Sequence, residues 1–164
     1  MTTTQTSTEV DMDKRMAVVF RAVDEGGATL NAALVVMGDK LGYYRDLAEH
    51  GPSTPRALAE RTRTSEPYAR EWLNAQAAGG YVAYDPHTGA YTLPPEQVVA
   101  LTVEDSPAFL PGFFQIALGT VSDTSHILEA ARSGAGYGWH EHNTDVHVGC
   151  VAAIRQRQIP ADEQ

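Results

Sequence analysis

Cysteine is almost absent from this chain: Cys150 is the only one in 164 residues. That excludes an internal disulfide framework and a four-cysteine zinc site, and it fits a reducing cytosol. Positive charge is also scarce. Twelve Lys and Arg stand against 21 Asp and Glu, a net charge of −9 with neutral histidines. A chain this acidic has no bulk attraction for phosphates or anionic lipid. Long hydrophobic runs are missing. The longest, Ala32 to Met37, falls far short of the roughly 20 residues that span a bilayer, so no membrane role is expected. Met1 to Val10 is mostly Thr, Gln and Ser, with neither the basic start nor the apolar stretch of a secretory signal. Residues 1–8 are therefore expected to be a disordered lead, and the chain to be cytoplasmic. No internal repeat is present. What remains, 43% hydrophobic and 20% charged residues, suffices for the core of one ordinary domain with a helical extension.

Apolar periodicity organises that domain. Met12, Met16, Phe20 and Val23 recur at helical spacing from Val10 to about Glu25, and Gly26-Gly27 is expected to stop the run. A longer helix is expected over Ala28 to His50, with Leu30, Leu34, Met37, Leu41, Tyr44 and Ala48 as its stripe and Gly51-Pro52 as its end. Gly38 and Gly42 each cost about 1 kcal/mol of helix propensity and read as close-packing positions. Thr54 caps a short helix that carries Pro55 at its first position. After the turn Thr62-Arg63-Thr64, Ser65 caps a second helix with Ala69, Trp72, Leu73 and Ala77 inward. The period then changes to two. Tyr81 to Tyr84 and Ala90 to Leu93 read as strands around the turn Asp85-Pro86-His87-Thr88-Gly89, followed by a helix over Gln97 to Leu101.

This order predicts a mainly α fold, a winged helix-turn-helix with a small β-hairpin and a helical C-terminal extension. The expected division is a winged-helix dimerisation domain over 9–103, a helical extension or linker over 104–134, and an irregular tail over 135–164. In the extension, Phe109, Phe113, Ile116 and Ala117 form one stripe, and Thr120, Thr124, Ile127, Leu128 and Ala131 another.

A helix-turn-helix raises the question of DNA. The candidate readers are Arg56, Arg61, Arg63, Arg70 and Asn74. Between Gly27 and Pro94, however, six basic residues face seven acidic ones, and the wing tip carries Asp85 and His87 without Lys or Arg. That balance argues against autonomous nucleic-acid binding, and a transcriptional regulator is kept as the alternative function. Gly134-Ala135-Gly136-Tyr137-Gly138 has glycines at alternate positions, but a dinucleotide loop needs a preceding strand and a following helix. Here a helical pattern precedes it, so a flexible connection is expected. His140, His142 and His147, with Glu141, Asp145 and Cys150, are the densest set of possible metal ligands. Their spacing matches no strong zinc signature, and a polar loop is preferred. No nucleophile elbow, H-E-x-x-H or phosphate loop occurs.

Several segments together carry a family likeness. They are Val36-Met37-Gly38-Asp39-Lys40-Leu41-Gly42-Tyr43-Tyr44, Thr54 to Ala59, Glu71-Trp72-Leu73-Asn74-Ala75-Gln76-Ala77-Ala78-Gly79-Gly80-Tyr81-Val82, Tyr91 to Glu96, and Gly138-Trp139-His140-Glu141-His142. In this order they resemble the N-terminal part of a bacterial family of class I S-adenosylmethionine-dependent methyltransferases, over about Val10 to Asp145. The resemblance implies a winged helix used for dimerisation and for walling a substrate pocket, ahead of a Rossmann-like catalytic domain. The pocket candidates it offers are Phe109, Phe113, Ile116, Trp139, His140 and His142. No catalytic residue, metal or cofactor is expected in these 164 residues themselves, since S-adenosylmethionine belongs to the catalytic domain. The sequence is thus expected to be an accessory half: a fragment, a truncated product or a stand-alone module. A homodimer through the N-terminal helices is expected from their surplus apolar surface, and a methyltransferase catalytic domain is the second expected partner.

Overall fold

The computed structural model describes residues 10–157 and is a winged helix-turn-helix followed by a three-helix extension. The chain order is α1 (Met12–Lys40), α2 (Tyr43–His50), α3 (Pro55–Thr62), α4 (Glu66–Ala78), β1 (Ala83–Asp85), β2 (Ala90–Thr92), α5 (Pro95–Thr102), α6 (Pro111–Ser122), α7 (Thr124–Ser133) and α8 (Thr144–Arg157), with a 3-10 turn at Trp139–Glu141. The expected disordered lead at 1–8 lies outside the described residues.

The first two expected helices are merged and then recut. α1 begins on Asp11, whose carboxylate accepts from the N–H groups of Asp13 and Lys14, and it runs straight through Gly26-Gly27 for 29 residues. Two glycines lower helix propensity, but they do not require a break where helical φ/ψ is still available. The break falls instead at Leu41-Gly42. Gly42 takes φ +72°, a left-handed conformation that favours glycine, and α2 restarts from it. Its expected close-packing role is absent, since nothing lies within 4 Å of the position a Cβ would occupy.

Gly38 is the position where space decides. A Cβ there would sit 2.3 Å from Trp72 Cζ2 and 2.8 Å from Tyr44 Cε2. Trp72, on α4, is 1% exposed. Its Nε1 donates to Leu34 O at 2.8 Å, and Tyr43 and Tyr44 meet its ring edge-on at 4.8 and 5.0 Å. Around this group lie Val35, Leu47, Leu58, Ala69, Leu73, Val82, Tyr91, Leu93 and Leu101. One polar thread passes through the same core. Tyr44 Oη donates to Gln76 Oε1 at 2.5 Å, and Gln76 Nε2 donates to Asn31 Oδ1 at 3.1 Å. Burial pushes the Tyr44 phenol far above its ordinary ionisation range.

The helix-turn-helix forms as its caps dictate. Thr54 Oγ1 accepts from Ala57 N, while Ser65 sits at the N-cap of α4 without a side-chain bond. The wing pairs Ala83 with Thr92, Tyr84 with Tyr91 and Asp85 with Ala90, slightly displaced from the expected strands. Ser53 bridges Tyr91 through two backbone bonds of 2.9 Å. The helix expected at Gln97 starts two residues earlier, at Pro95.

The region expected as an irregular tail contains α8, which packs along α6. Its apolar period is weak because glycine forms much of the contact. A Cβ on Gly119 would lie 2.7 Å from Val146 Cγ2, and one on Gly149 would lie 2.5 Å from both Gly112 O and Ile116 Cγ1. Lys40 Nζ to Asp145 Oδ1 (3.3 Å) ties this pair to the end of α1, and Gln115 Nε2 to Asp145 Oδ1 (2.7 Å) joins α6 to α8.

Two glycines on one helix should therefore respond in opposite ways. Gly38→Val is expected to lower the unfolding free energy by about 3 kcal/mol, the upper part of the overpacking range, because an indole cannot move aside as a flexible chain can. Gly26→Ala meets nothing within 4 Å and is expected to raise helicity without loss of stability. Denaturant unfolding followed by far-ultraviolet circular dichroism checks both.

Candidate functional site

Two regions hold the expected functional residues, and the structure treats them differently. In the helix-turn-helix the candidate DNA readers are largely occupied. Arg61 donates from Nε and Nη2 to the Asp46 carboxylate at 2.6–3.0 Å and from Nη2 to Ser53 Oγ at 2.7 Å. Asp46 is buried and holds the Arg61 guanidinium above its usual range. Arg61 thus fastens α3 to α2 and the wing. Arg56 Nε pairs with Glu60 at 2.8 Å, and Arg70 with Glu66, each one helical turn apart. Asn74 Oδ1 accepts from Tyr91 Oη at 2.5 Å. Arg63, at the left-handed C-cap of α3, makes no ion pair among the described residues. At the wing tip, Asp85 accepts from Thr88 Oγ1 and from His87 N, which together, the threonine first, hold its carboxyl below the usual range.

The six pocket candidates do not share one cavity. Phe113 is 64% exposed. It lines an apolar groove of about 220 Å³ between α1 and α6, with Ala28, Thr29, Ala32, Phe114 and Val121. Phe109 lies half-buried ahead of α6, its N–H on Ser106 O. Ile116 faces Gly149 inside the α6–α8 contact. Trp139, His140 and His142 stand apart from these, in the connection between α7 and α8.

That connection is built on Asp123, a residue sequence reasoning missed because it reads only as a helix boundary. It lies between α6 and α7 and is 3% exposed. Its carboxylate accepts from Asn143 N at 3.1 and 3.0 Å and from His142 Nδ1 at 2.9 Å. The Asn143 N–H, and then the imidazole, hold the Asp123 carboxyl below its usual range. Tyr137 meets His142 edge-on at 4.5 Å and stacks near His126 at 5.8 Å. Trp139 contacts His142 at 5.8 Å and His147 at 4.8 Å, and His147 Nε2 donates to Trp139 O at 2.9 Å. Tyr137 and His126 had no sequence signal beyond their residue type, since they lie 11 residues apart across the end of α7 and meet only through the fold.

The chemistry open to this cluster follows from its geometry. Among the described residues no three His, Cys, Asp or Glu side chains are grouped to hold a metal ion; His142 and His147 point their bonding nitrogens at separate protein oxygens. The glycine run does not fit a nucleotide cofactor. It follows α7 rather than a strand, Gly134 caps that helix by donating to Ala130 O, and a three-residue 3-10 turn follows it. What the cluster offers is a histidine oriented by a buried carboxylate, beside the exposed Trp139 ring.

Asp123 and Asp145 both ionise more readily folded than free. A depressed carboxyl contributes stability above its unfolded value and loses it as the pH falls through the folded one. On acidification below the usual carboxylate range, the connection and α8 are expected to loosen before the core does. With only Trp72 and Trp139 in the chain, fluorescence separates the two: Trp139 should change first, and a Trp139→Phe variant should show only the later transition of Trp72.

No curated protein matches the chain. Among the described residues no helix is long and apolar enough to cross a membrane. Residues 28–103, from the last turns of α1 through the end of α5, match the Rv2258c-like winged HTH domain, and this segment is a winged helix-turn-helix domain.

Proposed function

We propose that this chain is the dimerisation and substrate-pocket part of an S-adenosylmethionine-dependent methyltransferase, catalytically incomplete without a Rossmann-like domain that supplies the cofactor site. One observation carries this reading: the helix-turn-helix commits Arg61 to a buried carboxylate and pairs Arg56 and Arg70 with glutamates one turn away, while the helices around it leave apolar faces uncovered. Every residue from Val10 to Leu30 is exposed, including Met12, Met16, Phe20 and Val23 on one stripe of α1. Ala28 already lines the groove against α6, so residues 12–27, about 24 Å of helix at 1.5 Å per residue, project beyond the body of the domain. Isolated helices of this length are marginal in water, and covering the stripe returns about 25 cal/mol per Å². A second copy closes such a surface by two-fold symmetry. On the other side, Phe113, Val121, Ile127 and Leu128 are exposed along α6 and α7, which supports a catalytic domain seated there. The ordered motifs from Val36 to His142 support the methyltransferase assignment.

The assembly is tested by light scattering. The full chain is expected to be a dimer at micromolar concentration. Because residues 10–27 line no part of the core, a chain lacking 1–26 is expected to keep its fold and become a monomer; an undisturbed dimer after that deletion contradicts the interface. Calorimetric titration of the chain with S-adenosylmethionine is expected to show no binding, and micromolar affinity overturns the division of labour. Sequence-selective, salt-steep gel shifts would instead support the regulator.

A further inference from the structure

The Asp123 carboxylate, ionised and nearly sealed, can only accept hydrogen bonds. In its 2.9 Å contact with His142 the proton therefore sits on Nδ1. A neutral imidazole protonated at Nδ1 keeps a lone pair on Nε2. His142 Nε2 has no hydrogen-bond partner among the described residues and is not closed off from solvent; the side chain is 24% exposed. Beside it the Trp139 ring is 59% exposed, although Trp139 is already braced from below by His147. The other two histidines of the segment lack this combination. His147 uses Nε2 on the Trp139 carbonyl, and His140 is exposed without a carboxylate partner among the described residues.

We propose that His142, oriented by Asp123, is a proton-accepting site for a phenolic ligand that lies against Trp139. The proposal rests on the methyltransferase reading for its purpose, naming a phenol as the class of methyl acceptor, but binding and proton transfer are properties of this chain alone. In the step, the phenol O–H bond breaks, an N–H bond forms at Nε2, and the electron pair stays on oxygen as a phenolate. The resulting imidazolium is balanced by the Asp123 carboxylate. The class of ligand follows from acidity and charge. A phenol is acidic enough to give its proton to a fixed nitrogen base, whereas an alkyl hydroxyl is a far weaker acid. A carboxylic acid arrives already ionised, and the carboxylates of Asp123 and Glu141 repel it. The groups facing the His142 ring are Asp123 and Tyr137, with His126 and Glu141 beyond Tyr137 and His147 beyond Trp139.

The test titrates 4-nitrophenol into the full chain just below the pH at which the free probe ionises and follows the phenolate absorbance. A saturable rise in phenolate is expected. His142→Gln should abolish that rise and weaken binding about tenfold, and Asp123→Asn should abolish the rise while the ring remains. Because Asp123→Asn also loosens the loop, imidazole nitrogen NMR of the unaltered chain provides a second reading, with His142 expected as the Nδ1–H tautomer. No saturable phenolate signal, equal ionisation of the probe by His142→Gln, or an Nε2–H tautomer overturns the proposal. A chain that ionises the probe yet supports no methyl transfer with a catalytic domain would refute the methyltransferase reading and leave this site standing.

Discussion

The contact between the Trp72 indole and the bare backbone of Gly38 is the constraint on which the rest of the structure depends. It sets how closely α4 approaches α1, and the Nε1 bond to Leu34 O fixes the ring's direction. Tyr43 and Tyr44 can then close on both edges of the ring only because Gly42 turns the chain into α2 at that point. With α2 placed, Asp46 meets Arg61, and α3, the wing and Ser53 follow. Edge-to-face aromatic pairs contribute about 0.5–1.5 kcal/mol each beyond their buried area, but their larger effect here is geometric. A helix-turn-helix of only two short helices and a hairpin of two three-residue strands gains a defined orientation on a long first helix.

In the proposed reading, the same economy separates this domain from a DNA reader. A guanidinium that donates three bonds to a buried carboxylate is not available to a phosphate, and removing it would leave a buried charge unpaired. Meanwhile apolar surface is left where an isolated domain would hide it, on the free half of α1 and along α6 and α7. Within the extension, α8 is held to α6 by glycine contacts and to α1 by Asp145, and the α7–α8 connection is clamped by one buried carboxylate that also orients a histidine.

Much of the fold was legible in the residues. The caps at Thr54 and Pro55, the inward stripe of Ala69, Trp72, Leu73 and Ala77, and the switch to period two at Tyr81 are local signals, and the elements form within two residues of them. The errors have a common origin. Gly26-Gly27 looks like a stop because propensity counts cost, whereas a break needs a conformation that helix excludes, which Gly42 has and Gly26 lacks. α8 carries no helical signal because its buried face contains Gly149, whose contribution is an absence of side chain that no apolar period records. At the candidate site, Trp139 and His142 were legible by residue type. Asp123 was not, since its role depends on a fold that brings it across 19 residues to the histidine.

The central claim is that the free half of α1 is an interface rather than an idle extension. Amide hydrogen exchange over residues 12–27, measured across a range of protein concentrations, tests it most directly. A helix of that length alone in water frays and exchanges fast. The account predicts slow exchange in this stretch that strengthens as concentration rises, while exchange in the Trp72 core stays constant. Fast exchange of residues 12–27 at every concentration would contradict it.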